Sequence, residues 1–231
     1  MSTFPDSTLQ KASLSSALAT IFRGKLCDTL FHDRRPLTFA KGSAVYEAGD
    51  DRRSFFFVRR GVIKVGALTD DGREVIYDLR KEGDVVGELC ACETTRRDYA
   101  IALEPAEVIA VPYEDVLDSL QKNRSALQEV LDVICRALAS AYDQASLLSS
   151  GGTLERLIKV LLRLARQLGR AGGDLVEVDA YLTQEEISQM MASSREKVSV
   201  ALNLLRNRSL VQYSRRGHLL LNVTALENWR G

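Results

Sequence analysis

The sequence is poor in the residues that build most enzyme centres and all membrane spans. Its uninterrupted apolar runs, such as Val160–Leu162, are a few residues long, against the roughly 18 that suggest a transmembrane helix. Histidine occurs twice, as His32 and His218, and cysteine four times, as Cys27, Cys90, Cys92 and Cys135, with no Cys-x-x-Cys. A structural zinc site needs four Cys or His ligands in paired spacing, so no metal is expected. A Ser-His-Asp or Cys-His enzyme would have to use one of the two histidines. Neither lies in a nucleophile motif, so no catalytic residue is assigned. The start, Met1-Ser-Thr-Phe-Pro-Asp, has neither a basic n-region nor an apolar h-region. No secretory signal is expected, and the thiols are expected to be reduced in a cytoplasmic protein. Net charge is missing too: 31 Lys and Arg face 31 Asp and Glu, which removes the simplest argument for a polyanion partner.

What is present is ordinary globular usage, 45% apolar and 27% charged in 231 residues, enough for one large or two small domains at roughly 100–200 residues each. The charge is unevenly spread. Residues 151–231 hold 12 Lys/Arg against 8 Asp/Glu, net +4, so residues 1–150 hold 19 against 23, net −4. The C-terminal part is the one suited to a polyanion.

Residues 7–32 carry Leu14, Leu18, Ile21, Phe22, Leu26 and Leu30 at helical spacing. From 36 to 112 short β-rich runs alternate with turns: Leu37–Phe39, Val45–Tyr46, Phe55–Val58, Val62–Val65, Val75–Leu79, Val85–Val86, Tyr99–Leu103 and Val108–Val111. Eight short strands at this spacing predict an antiparallel barrel or jelly roll, with Asp71-Gly72 as a hairpin turn. Tyr113–Gln121 predicts a short helix. A long one over 125–148 follows, with Leu127, Leu131, Ile134, Leu138, Ala141, Ala145 and Leu148 stepping alternately by four and three. That is a heptad seam, read either as a parallel dimer interface or as packing on the chain's own barrel. Ser149-Ser-Gly-Gly reads as a hinge, Leu154–Leu168 as an amphipathic helix and Arg170–Gly173 as a loop.

The next segment holds two short helices. Thr183 is an N-cap with Glu186 three residues on, a capping box. Ser193 is expected to cap the second helix with Glu196 as its partner. Val198, Ala201, Leu202 and Leu205 then form an inner stripe. Met191-Ala-Ser-Ser is as short a connection as a helix-turn-helix requires. The outer face of helix two carries Arg195, Glu196, Ser199, Val200 and Asn203. An Arg can grip guanine O6 and N7, and a Glu can accept from cytosine N4; a solvated face on a plain helical hairpin is the alternative. Downstream, Leu210-Val-Gln-Tyr-Ser-Arg-Arg-Gly-His-Leu-Leu-Leu reads as a wing, with Arg215 and Arg216 at its tip.

In this order the parts resemble the cyclic-AMP receptor protein/fumarate-nitrate regulator (Crp/Fnr) family of bacterial transcription regulators. The resemblance spans about Leu30 to Leu221. It rests on Phe39-Ala-Lys-Gly-Ser-Ala-Val-Tyr-Glu-Ala-Gly-Asp, Phe56-Phe-Val-Arg-Arg-Gly-Val-Ile-Lys-Val, Gly83-Asp-Val-Val-Gly-Glu-Leu and Thr183 with Ser194-Arg-Glu-Lys-Val-Ser. It implies an α+β fold: a β-roll related to cyclic-nucleotide-binding domains over 1–124, a dimerisation helix over 125–150 and a winged helix-turn-helix over 151–231. It implies a cytoplasmic homodimer on a DNA palindrome, with half-sites one helical turn, roughly 34 Å, apart, and RNA polymerase as a further partner. The DNA-contacting set becomes Thr183, Ser194, Arg195, Glu196, Lys197, Ser199, Val200, Asn203, Arg215 and Arg216. The family's second recognition Arg, five residues after the first, is Val200 here, so an apolar contact to a thymine methyl replaces a guanine contact.

In the roll, Gly87-Glu88-Leu89 resembles the start of the cyclic-nucleotide phosphate cassette. The cassette's closing Arg-Ser falls, by ungapped count, on Asp98 and Tyr99, with Arg97 one residue away. An Asp repels a cyclic phosphate, so cyclic AMP is not expected to be the effector and no cofactor is expected. The family's iron-sulfur members use an N-terminal cysteine group, and Cys27 stands alone there. Cys90 and Cys92 would share a face if their stretch were extended. Buried small hydrophobes, or a redox or haem sensor that also draws on Cys135, are the two readings of these thiols. A cyclic-nucleotide-responsive regulator with an altered pocket is the remaining alternative. A cupin-like metal enzyme would need histidines in the strands, and none lies between His32 and His218.

Overall fold

The computed structural model describes residues 30–31, 33–122, 124, 127, 142, 145, 151–172 and 175–229. The helix expected over 7–32 enters it with Leu30 and Phe31, both helical. Of the long helix, Arg124, Leu127, Tyr142 and Ala145 are described, each helical and exposed. The seam positions Leu131, Ile134, Leu138 and Ala141, and with them Cys27 and Cys135, lie outside the described residues.

All eight strands expected between 36 and 112 form: β1 Leu37–Phe39, β2 Ala44–Tyr46, β3 Ser54–Arg60, β4 Ile63–Leu68, β5 Glu74–Arg80, β6 Val85–Val86, β7 Tyr99–Ala102 and β8 Ala106–Pro112. They pair antiparallel in two four-stranded sheets, β1-β8-β3-β6 and β2-β7-β4-β5. The β3 sequence shows why the roll closes. Its side chains alternate faces, and both faces are apolar. Phe56 and Val58 join Val45, Tyr46, Ile63, Val65, Ala100 and Val108 in the roll interior. Phe55 and Phe57 look outward onto Val116 and Leu120 of helix α1, Tyr113–Gln121.

One register shift shapes the face that β5 turns to the C-terminal unit. Val65 pairs with Asp78, but Gly66 pairs with Ile76, so Tyr77 is the extra residue of a β-bulge. Gly66 is required there: a Cβ on it would lie 2.3 Å from the Val75 carbonyl oxygen and 2.7 Å from the Tyr99 hydroxyl. The bulge resets the alternation. Ile76 and Leu79, three apart, both leave the roll and bury against the C-terminal unit.

That unit contains helix α2 Thr153–Leu168, strands β9 Gly169–Gly172 and β10 Leu175–Val178, helices α3 Gln184–Met190 and α4 Arg195–Asn207, strands β11 Val211–Tyr213 and β12 Leu219–Leu221, and helix α5 Val223–Glu227. The segment expected as a loop at 170–173 is largely β9, hairpin-paired with β10. Arg170-Ala-Gly carries no β-branched residue, so its strand state comes from the partner rather than from propensity. The wing strands complete a sheet of order β11-β12-β10-β9. The core joins Leu157, Leu161, Leu164 and Leu168 of α2 to Ile187, Met191, Val198, Leu202 and Leu205, and continues into Val62, Ile76, Leu79 and Leu103 of the roll. Among the described residues no helix is long and apolar enough to cross a membrane.

Candidate functional site

The two helices of the bihelical motif are held by their caps. Thr183 Oγ1 accepts from Glu186 N at 3.1 Å and Glu186 Oε2 accepts from Thr183 N at 2.8 Å, closing the expected box. For α4 the cap moves by one residue from the expectation. Ser194, extended at φ −82° and ψ 149°, accepts from Lys197 N, while Ser193 lies in the turn. The turn explains the shift. Ala192 takes a left-handed φ of 47°, and Ser193 N donates to Ser188 O at 3.1 Å. The chain therefore reaches extended geometry one residue later.

This places the expected face outward. Arg195, Glu196, Lys197 and Asn203 are exposed, Val200 is 70% exposed, and Ser199 is half-buried. Beneath them Val198, Ala201, Leu202 and Leu205 are buried. Glu196 sits in the first turn, where its own backbone N–H, and next the Ser194 hydroxyl, hold its carboxyl below the usual range. An ionised acceptor at a helix start matches the macrodipole. The wing turn Ser214–Gly217 holds Arg215 and Arg216, both exposed, with Gly217 at φ 79°. A groove of about 380 Å³ between the end of α4 and β11 is lined by Asn203, Arg206, Asn207, Val211, Gln212 and Tyr213. Arg206 lies over the Tyr213 ring at 5.5 Å and reaches Asn203 Oδ1 at 3.4 Å. Sequence reasoning stopped at Asn203. The signal for Arg206 was its place three residues further along the same helix face.

The effector cassette is built differently from its sequence reading. Gly87 has φ 85° and opens a 3-10 turn, Glu88–Ala91. Leu89 is 42% exposed. Arg97, one residue from the counted cation position, is 83% exposed and pairs with Glu93 at 3.1 Å. A buried cation that sequence reasoning missed is Arg96. Its Nη1 and Nη2 donate to the carbonyls of Gly87 at 3.2 Å and Ser54 at 2.7 Å, and its guanidinium lies 3.9 Å from the Tyr46 ring. Asp98 accepts from the Tyr46 hydroxyl at 2.7 Å. Burial, then the Asp98 charge, pushes the Tyr46 pKa far up, so the proton stays on the phenol. Tyr99 is buried, its hydroxyl beside Gly66 and its pKa pushed up to about 12 by burial first and Glu74 next.

Cys90 and Cys92 do not share a face, because a 3-10 turn and not a strand carries them. Cys90 is buried and burial raises its thiol pKa; Cys92 is exposed and its Sγ donates to Leu89 O at 3.3 Å. Among the described residues no group of three or more His, Cys, Asp or Glu could hold a metal ion.

Comparison with known proteins agrees with this architecture. Residues 36–123 match the cyclic nucleotide-binding domain family and residues 155–229 the Crp-like helix-turn-helix domain family. A CRP-like cAMP-activated global transcriptional regulator from Mycobacterium tuberculosis is 30% identical over 210 residues, covering 89% of this chain and 90% of that one. The fumarate and nitrate reduction regulatory protein of Escherichia coli is 24% identical over 204 residues, 88% of this chain and 81% of that one. Among solved structures, FixK2 from Bradyrhizobium japonicum superposes with a TM-score of 0.74 at 21% identity, covering 86% of this chain and 98% of that one. With an α+β fold of β-roll and winged helix-turn-helix, and a relative this similar over nearly its whole length, the chain belongs to the Crp/Fnr family of transcription regulators.

Proposed function

We propose that this regulator acts as a homodimer on a palindromic DNA site, without catalysis, and that cyclic AMP is not its switch. The chain divides, on this reading, into a sensor over 1–124, a dimer helix over 125–150 and a DNA-binding unit over 151–231. The observation that carries it is the outward face of α4. A capped helix presents Arg195, Glu196, Lys197, Val200 and Asn203 to solvent over a fully apolar underside. Arg195 and Glu196 read base edges, Val200 meets a thymine methyl, and Thr183, Ser194, Lys197, Arg215 and Arg216 hold phosphates. On the long helix, the described seam residues Leu127 and Ala145 are exposed in the single chain, as a dimer seam requires. RNA polymerase is a further partner on this reading, and the cytoplasm its compartment.

The effector argument rests on the cassette. A cyclic phosphate is a fixed anion that needs an available cation and aimed N–H donors when desolvated. The roll offers the Tyr46–Asp98 pair and the Tyr99 ring in the expected positions, and Arg96 is engaged with backbone carbonyls. A second reading, a cyclic-nucleotide-responsive regulator with an altered pocket, is favoured by one observation: the Arg96 guanidinium does lie beside Gly87, about where a Cβ there would touch it, at 3.0 Å.

Selection of duplex DNA with the purified protein tests the site; recovery of no palindrome would overturn the DNA reading. Calorimetry with cyclic AMP and cyclic GMP tests the effector. Micromolar binding coupled to tighter DNA affinity would establish the second reading instead. Sedimentation of Leu131→Glu and Leu138→Glu tests the seam, since each would bury unpaired carboxylates against each other; an unchanged dimer would move the interface elsewhere.

A further inference from the structure

We propose that Asp78 is a positioning residue that couples the effector cassette to the DNA-binding unit through a continuous chain of charges, buried at its centre. The chain begins at Glu88, the first residue of the cassette turn, whose Oε1 accepts from Arg80 Nη2 at 2.8 Å. Arg80 Nη1 donates to Asp78 Oδ2 at 2.6 Å. The other Asp78 oxygen, Oδ1, faces away from the roll and accepts from Arg163 Nη2 at 2.6 Å and Gln167 Nε2 at 2.7 Å. Both donors are on α2, one turn apart, and α2 forms the floor under α4. Each end of the chain is therefore a functional element, and one carboxylate joins them.

Three features single this arrangement out from ordinary surface pairing. Its middle is largely shielded from solvent: the Arg80 and Asp78 side chains are 7% and 15% exposed. Burial pushes the Asp78 carboxyl up, yet Arg80, Arg163 and Gln167 outweigh it and hold the group below the usual carboxylate range. Asp78 also stands directly beside the bulge. The extra residue Tyr77 turns its carbonyl out to accept from the same Arg163 Nη2 at 2.7 Å. The bulge brings a backbone carbonyl and a carboxylate to one guanidinium.

Glu88 has one described ion-pair partner, Arg80. A ligand that engages Glu88, or turns its carboxylate, changes the charge that Arg80 shares with Asp78. Asp78 then holds Arg163 and Gln167 with a different strength, and α2 carries the change to α4. This does not depend on which molecule is the effector or on the identity of the DNA site.

Coupling of this kind requires evidence of non-additivity, not spatial connection alone. The test is a double-mutant cycle in the full chain. Glu88→Gln and Arg163→Met each remove one end of the chain and do not touch each other's direct partner. Two readouts are used. One is affinity for the selected duplex. The other is urea unfolding followed through Trp229, the single tryptophan of the chain, which packs on the core of the DNA-binding unit. The second readout decides the matter even where no specific duplex is found. The expected result is that the fold-change of the double variant departs at least threefold from the product of the single fold-changes. In an Asp78→Asn background the departure should vanish. Arg80→Met breaks the same link and replaces Asp78→Asn where that variant does not fold. Multiplicative effects in the wild-type background, or a departure that survives removal of Asp78 or Arg80, would overturn the proposal and leave Asp78 as a structural ion-pair partner only.

Discussion

Replacing Arg195 and Arg216 one at a time would separate base reading from phosphate holding, because the two side chains stand in different places on one unit. Arg195 opens α4 directly after the Ser194 cap, and Arg216 sits in the wing turn. Both are exposed. Surface truncations of this kind change folding stability by about 0.5 kcal/mol or less, so lost affinity reports the interface. The hydrogen bond from Arg216 N to Ser214 Oγ at 3.3 Å uses the backbone and survives truncation. A bidentate Arg–guanine contact is worth about 1–3 kcal/mol, so Arg195→Ala should weaken the cognate duplex about 5- to 150-fold. It should leave a scrambled duplex nearly untouched. Arg216→Ala should weaken both duplexes alike. Losing one phosphate contact also lowers the magnitude of the log–log salt slope by about 0.9, so its deficit shrinks about 3.5-fold for a fourfold rise in salt. Anisotropy titrations of both variants on both duplexes at two salt concentrations measure all of this. Equal losses on cognate and scrambled DNA for Arg195→Ala would refute base readout by that residue.

Val200, 70% exposed on the same face, gives a gain-of-contact test: Val200→Arg should move the selected sequence from thymine to guanine at one position in each half-site, and an unchanged selection would place Val200 off the bases. Ser194→Ala should cost about 1 kcal/mol of helix capping while Ser193→Ala costs little; thermal melts with equal losses would return the cap to Ser193. Asp78 is held below its ordinary value of 3.8 when folded, so its stabilisation is present above that value and is lost as pH falls through the lower folded one. Asp78→Asn should therefore flatten the acid limb of the unfolding curve below the ordinary value, and an unchanged limb would assign acid sensitivity to other carboxylates.

Most of the architecture could be read from the sequence because most of it is local. The eight strands are short β-rich runs between turn residues, and the Thr183–Glu186 box is a three-residue signal. Failures came where distant partners decide. Arg170-Ala-Gly has no strand propensity and becomes β9 because Leu175–Val178 lies alongside it. The α4 cap slipped by one residue because Ala192 adopts a left-handed turn that only the packing of two helices requires. In the sensor, an ungapped count found Asp98 and Tyr99 but passed over Arg96. Its burial depends on the carbonyls of Gly87 and of Ser54, the latter 42 residues away along the chain. The bulge did leave a sign, a glycine at position 66 inside a strand pattern, but the partner that it turns toward α2 was not visible from β4 or β5 alone.

The way the roll and the DNA-binding unit are joined constrains how any signal can work. Val62, Ile76, Leu79 and Leu103 share one apolar core with α2, α3 and α4. Apolar burial holds without direction and would by itself permit α2 to slide. The Asp78 contacts to Arg163 and Gln167 supply the direction. Gln189 of α3, which donates to Glu74 Oε2 at 2.9 Å, adds a second directional tie at the other end of β5. Moving α2 relative to the roll would strip Asp78 of two donors while leaving it beside Arg80. A half-paired buried carboxylate is costly, so this joint disfavours any displacement of α2 from the roll. A ligand that binds both states equally shifts nothing, and a full switch from 1:99 to 99:1 requires about 5.5 kcal/mol of differential affinity. Ligand contacts inside the roll that leave Glu88 and Arg80 undisturbed supply none of that difference through this joint, and an effector that works through it must act on that pair.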